Sequence, residues 1–120
     1  LAGLTGVESD PIYALTKHAV IGLVRSVAPQ PQESGIRINA VCPGFADTPM
    51  VTDEIRSALG SAGFSLLGAE EVAEAVLLKA RSEGTGEAWL VQPGRQPEPY
   101  RFRGIPGPRV PGAEGIAPPL

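Results

Sequence analysis

The order helix, strand, helix, helix, strand predicts an α/β protein with parallel strands. Three observations carry that reading: a long stretch of helical spacing over residues 11–28, two short apolar runs that each end in "PG", and two helical stretches between those runs. Two strands do not complete such a core. A parallel sheet hides both faces under helices, and a lone pair of strands leaves ladder groups open at edges that are meant to be buried. More sheet than these 120 residues hold is therefore expected.

The first helix is "YALTKHAVIGLVRSVA", where Leu15, Ala19, Val20, Leu23, Val24 and Val27 recur at helical intervals after the start signals Asp10 and Pro11. Pro29 and Pro31 end it by Ala28, because a proline inside a helix removes a hydrogen bond and clashes one turn back, at a cost of about 3 kcal/mol. After the polar turn "QPQESG", the run "IRINAVC" mixes β-branched residues into a short apolar segment and reads as a buried strand. "TPMVTDEIRSALGS" follows as a short helix, with Thr48 as cap, Pro49 in the first turn and Gly60 as the stop. "GAEEVAEAVLLKARSEG" has acids in its first turn, Lys79 and Arg81 in its last and a glycine just beyond, which suits the helix dipole at both ends. "GEAWLVQPG" is the second strand, centred on Trp89 to Val91. From Pro93 onward the chain holds 8 of its 13 prolines and shows no helical or strand period, so residues 95–120 are expected to be an extended or disordered tail to a unit spanning 1–94.

Composition narrows the function classes. A net charge of −3 and a pI near 5.1 offer no basic stripe for phosphate backbones or anionic lipids, which argues against nucleic acid and membrane partners. The longest apolar run is far short of a spanning helix, and the sequence reads as soluble and cytoplasmic. Cys42, the single cysteine, closes no disulfide within the chain, and the lone His18 has no cluster with metal-ligand spacing around it. Cys42 is read as a small apolar core residue, and His18, roughly 100 degrees around the helix from Lys17, as a surface or interface residue.

Tyr13 and Lys17 stand four residues apart, so a helix brings them to one face. A phenol with its ordinary pKa near 10 exchanges protons poorly at neutral pH; a neighbouring positive charge favours the phenolate and brings it toward working range. By itself the spacing also fits a helix that merely starts with an aromatic and carries a solvated lysine.

Taken together, "AGLTG", "YALTKHAVIGLVRS", "GIRINAVCPGFADTPM" and "GEAWLVQPG" resemble the C-terminal half of the short-chain dehydrogenase/reductase family, over about residues 1–94. The resemblance implies the C-terminal portion of a Rossmann-type doubly wound parallel sheet, and hydride transfer between NAD or NADP and a small-molecule alcohol or ketone. It implies Tyr13 as catalytic acid/base and Lys17 as the residue that lowers the Tyr13 pKa and bonds the nicotinamide ribose. Pro43 and Gly44 match the turn against the nicotinamide, the Ala46 backbone matches a carboxamide contact, and the Thr48 hydroxyl matches a contact to carboxamide or phosphates. Family members commonly carry a larger aliphatic residue at the position of Ala46.

The departures matter as much. The family's serine falls just upstream of Leu1, and neither Thr5 nor Ser9 takes its place in the motif. The glycine-rich turn for the pyrophosphate, the residue that chooses NAD over NADP and the family's asparagine are likewise outside these residues. The chain is thus expected to be a part of an oxidoreductase and inactive alone; the alternative is a non-catalytic relative that docks onto a full-length partner. Pro29 and Pro31 interrupt the helix through which family members often form homo-oligomers. Residues 45–68, with Phe45, Met50, Val51, Ile55, Leu59 and Phe64, form either an apolar lid over the substrate or a stripe packed on the core.

Overall fold

The computed structural model describes residues 1–29, 35–104 and 111–112. It contains α1 (Pro11–Val27), β1 (Ala40–Pro43), α2 (Asp53–Ser61), α3 (Ala69–Arg81), β2 (Ala88–Val91) and β3 (Glu98–Pro99). The sheet runs β1-β2-β3, with β1 and β2 parallel in the register Ala40↔Ala88 to Pro43↔Val91, and β3 antiparallel on the far side of β2. Helices lie on both faces. Ile21 and Val24 of α1 pack on Ala40, Cys42 and Ala88, while Ala75 of α3 packs on Val91 and the fully buried Leu67. Alternate strand residues thus serve opposite faces, which is why both strands read as continuous apolar runs.

α1 begins where Asp10 accepts the Tyr13 amide at 2.9 Å and ends with Ala28 bonded back to Val24, so the helix stops before Pro29. Pro31 and the rest of the predicted polar turn at 30–34 lie outside the described residues. The predicted apolar stripe meets the sheet differently from expectation: Ala14, Ile21 and Val24 are buried, whereas Leu15, Val20 and Leu23 are more than half exposed. Three strands and one helix on this face give the rest of the stripe nothing to pack against.

Three boundaries are corrected. The first strand starts at Ala40 instead of Ile36, because Ile38 bonds the loop before β2, through Gly86 and the Thr85 hydroxyl, and Asn39 bonds Gly84 and Glu87 with its side chain. The cap of α2 is Thr52, whose Oγ1 accepts the Ile55 amide at 3.3 Å, and not Thr48. α3 ends on Ser82 in extended conformation, two residues before the glycine; its start is held by the Glu71 carboxylate, which accepts the Gly68 amide at 2.7 Å.

Lys79, in the last turn of α3 as expected, is buried at 4% exposure. Its ammonium donates to Ser82 Oγ and to Glu87, and lies 5.0 Å from the Trp89 ring centroid. Trp89 Nε1 donates to the same Glu87 carboxylate at 2.7 Å. These bonds, the Lys79 one first, hold the Glu87 carboxyl below the ordinary value of 4.5. A buried charge persists only when so paired.

Part of the proline-rich tail is ordered structure. Residues 98–99 form a strand where the sequence shows no strand period, because pairing with β2 and not apolar alternation sets the backbone there. The tail beyond residue 104, apart from 111–112, lies outside the described residues.

Candidate functional site

At the carboxyl ends of β1 and β2, Pro43 ends the strand and Gly44 follows with its amide on Val91 O at 2.9 Å. That bond continues the ladder by one residue and sets where the turn leaves the sheet. The backbone then makes a parallel bridge between Ala46 and Leu67: the Leu67 amide donates to Phe45 O and the Asp47 amide to Leu67 O, both at 2.8 Å. Ala46 takes no part in either bond, since its N–H and C=O point away from Leu67 in this pattern. Leu67, at 1% exposure, anchors the bridge in the core, so residues 48–66 hang from a fixed base.

Within that segment Thr48 opens a turn, its carbonyl accepting the Val51 amide at 2.9 Å. Since Thr52 caps α2, the Thr48 hydroxyl is not spent on the helix, and among the described residues nothing bonds it. Asp47 accepts from Arg56 at 2.7 Å, tying the turn to α2 by an exposed, solvent-screened pair. No residue of α2 is buried, and Phe45, Met50 and Phe64 are 52%, 78% and 67% exposed. The stripe of the sequence analysis therefore does not pack on this core.

Tyr13 and Lys17 meet as their spacing predicts. The Lys17 ammonium lies 5.2 Å from the Tyr13 ring centroid, and both side chains are exposed. Among the described residues neither the phenol oxygen nor the ammonium has a hydrogen-bond or salt-bridge partner. The structure does not join this pair to the Pro43–Gly44 turn by any direct side-chain bond.

What links them is the segment before α1, a contribution that spacing did not reveal. The Leu1 nitrogen donates to Pro43 O at 2.5 Å, and two residues later Gly3 presses on α1. A Cβ on Gly3 would stand 2.8 Å from Lys17 O and 2.9 Å from Ile21 Cγ1. Only a residue without a side chain lets the segment run this close. The chain thus passes from the turn to the Lys17 level of α1 within three residues. His18, as expected, lies apart: its Nδ1 is within hydrogen-bond distance of Ala14 O at 2.9 Å on the helix itself. Cys42 is buried in β1, and desolvation raises its thiol above the ordinary pKa. Among the described residues no His, Cys, Asp or Glu cluster is fit for a metal, and no helix is long and apolar enough to cross a membrane.

Comparisons with known proteins bear on this geometry. A family model described as Enoyl-(Acyl carrier protein) reductase matches residues 1–89. The chain is 47% identical over 53 residues to 15-hydroxyprostaglandin dehydrogenase [NAD(+)] of Bos taurus, covering 42% of this chain and 20% of that protein. It is 40% identical over 83 residues to the oxidoreductase UcpA of Escherichia coli O157:H7, covering 66% of this chain and 31% of that protein. The chain thus spans 20% and 31% of these two relatives. A solved structure of ElxO with NADP bound superposes with a TM-score of 0.57 at 30% identity, over 75% of this chain and 41% of that one. With three quarters of its length inside the family match and a Rossmann-type sheet beneath the turn, the chain belongs to the short-chain dehydrogenase/reductase family.

Proposed function

We propose that these residues form the acid/base and nicotinamide-facing part of an NAD(P)-dependent oxidoreductase acting on an alcohol or ketone. Tyr13 exchanges the proton of the substrate oxygen, giving it up when a ketone is reduced and taking it when an alcohol is oxidised. Lys17 favours the phenolate through its charge and bonds the nicotinamide ribose. The Pro43–Gly44 turn lies against the nicotinamide, the Ala46 backbone bonds its carboxamide, and the Thr48 hydroxyl bonds carboxamide or phosphate. The dinucleotide, when bound, supplies the carbon that accepts or donates hydride.

The observation that carries this reading is the Thr48 hydroxyl. With the helix capped by Thr52, a polar group at the carboxyl end of a parallel strand has no task in the fold, and this is where open α/β sheets bind ligands. The outward-pointing Ala46 backbone beside it supports the same use. Either NAD or NADP fits, since the residues that choose between them are not among these 120. Because the family's serine and glycine-rich turn are also missing from them, the residues act only as part of a larger catalytic unit, as the short coverage of the relatives supports. Phe45, Met50 and Phe64 form an apolar lid that favours a substrate with a hydrophobic body.

The test is Tyr13→Phe in the active polypeptide that carries this chain, scored for turnover and for dinucleotide binding by fluorescence titration. Turnover should vanish while binding stays near normal. Strong residual turnover would remove Tyr13 from its role.

A further inference from the structure

The outer edge of β2 is the one place where the described tail returns to the sheet, and its backbone shows what that return does. Glu87 and Val91 turn their carbonyls to β1, accepting from Ala40 and Gly44, while Ala88 turns its carbonyl outward and accepts the Tyr100 amide at 2.7 Å. In the register Trp89↔Pro99 and Leu90↔Glu98, the amides of Glu98 and Tyr100 therefore face β2. Backbone direction alternates along an extended strand, so residues 97 and 99 face away from the sheet. Both are prolines, which have no N–H to offer. Between residues 97 and 100 both outward positions thus lack a donor, and both inward donors, on Glu98 and Tyr100, are kept.

The return is also fastened at both ends. Gly94 makes the reversing turn at φ +71°, closed by the Arg95 amide on Gln92 O, and the Arg95 side chain then donates to Glu98 three residues on at 2.7 Å. At the far end Phe102 packs on the α1 face of the core, its ring meeting Tyr100 edge-on at 4.9 Å and stacked by the Arg25 guanidinium at 4.0 Å.

We propose that Pro97–Tyr100 is a one-sided strand that terminates the sheet: this chain's own tail occupies the β2 edge, and Pro97 and Pro99 deny a strand from a second copy two of the donors it would need to add there. A bare edge strand is a template for pairing, and this device pairs the outward side of β2 while taking two donors off the new edge. The Arg25–Phe102 stack keeps the cap closed. The cap shares no residue with the proposed acid/base and nicotinamide-facing site and is independent of the proposed activity.

The test uses two variants of the natural polypeptide that carries this chain. Pro97→Val/Pro99→Val keeps the cap but restores two outward donors, and sedimentation velocity over rising concentration should show self-association beyond that of the natural sequence. An unchanged oligomeric state would overturn the terminating role. Phe102→Ala should open the cap, raising hydrogen exchange at the Leu90 amide, which the register sets against Glu98, by about tenfold. Unchanged Leu90 exchange would overturn the fastening role. Since Phe102 is only partly buried, its variant keeps the α1 core, which unchanged exchange at Ile21 and Val24 would verify.

Discussion

Replacing Gly3 by alanine tests how the turn and the helix are held together. The new Cβ would sit 2.8 Å from Lys17 O and 2.9 Å from Ile21 Cγ1, and distances under 3.0 Å are essentially never seen for real Cβ atoms. Ile21 can yield a little, but Lys17 O is backbone inside a helix and moves only if α1 moves. Overpacking of this kind costs about 1–3 kcal/mol. If the strain is relieved by lifting the segment off α1, amide exchange there rises by roughly 5- to 150-fold. Gly6 provides the control three residues on, since a Cβ there meets nothing within 4 Å. Gly6→Ala should be neutral or gain up to about 1 kcal/mol from a stiffer unfolded chain. Both variants are read by urea denaturation and by amide exchange across residues 1–27. Equal stability of the two would refute the claim that close approach at Gly3 joins the Pro43 turn to the Lys17 level of α1.

Four further outcomes follow from the same geometry. Thr52→Ala should cost α2 about 1 kcal/mol, whereas Thr48→Ala should leave its exchange unchanged and weaken dinucleotide binding; loss of α2 protection in the Thr48 variant would return that residue to the cap. Leu67→Ala should cost about 2–5 kcal/mol and loosen residues 48–66, and a loss below 1 kcal/mol by urea denaturation would show that the Ala46–Leu67 bridge holds without its anchor. Glu87, its folded-state pKa depressed below 4.5, contributes stability that is present above that value and disappears as pH falls through the lower folded one. Glu87→Gln should flatten this acid limb, and an unaltered limb in acid denaturation would place the dependence elsewhere. Cys42, buried and with a raised pKa, should resist alkylation at neutral pH until the chain unfolds, so rapid labelling of the native protein would contradict its place in β1.

Local signals were legible wherever one short range of residues sufficed. Asp10 and Pro11 start α1, Pro29 ends it, and the spacing of Tyr13 and Lys17 on one helix is a matter of 3.6-residue geometry. The two "PG" sequences end the two parallel strands because both strands stop where the backbone must leave the sheet. The resemblance to a family reached the Rossmann-type sheet, since the motifs that carry it are contiguous.

Other properties needed the folded chain, because they depend on what lies across a gap in sequence. Thr48 and Thr52 are equivalent as cap signals, and only the position of the Ala46–Leu67 bridge, which fixes where the segment begins, gives the cap to Thr52. Lys79 reads only as a partner of the helix dipole until Glu87 and Trp89 are brought under it by β2. Leu15, Val20 and Leu23 have the hydrophobicity of a core face, but the sheet takes the Ala14–Ile21–Val24 side, and burial belongs to the partner surface as much as to the residue. The alternation of Pro97 and Pro99 gained its meaning last. As sequence it is proline-rich tail; as the outward side of a paired strand it is a row of missing donors, and only pairing with β2 decides which side is outward.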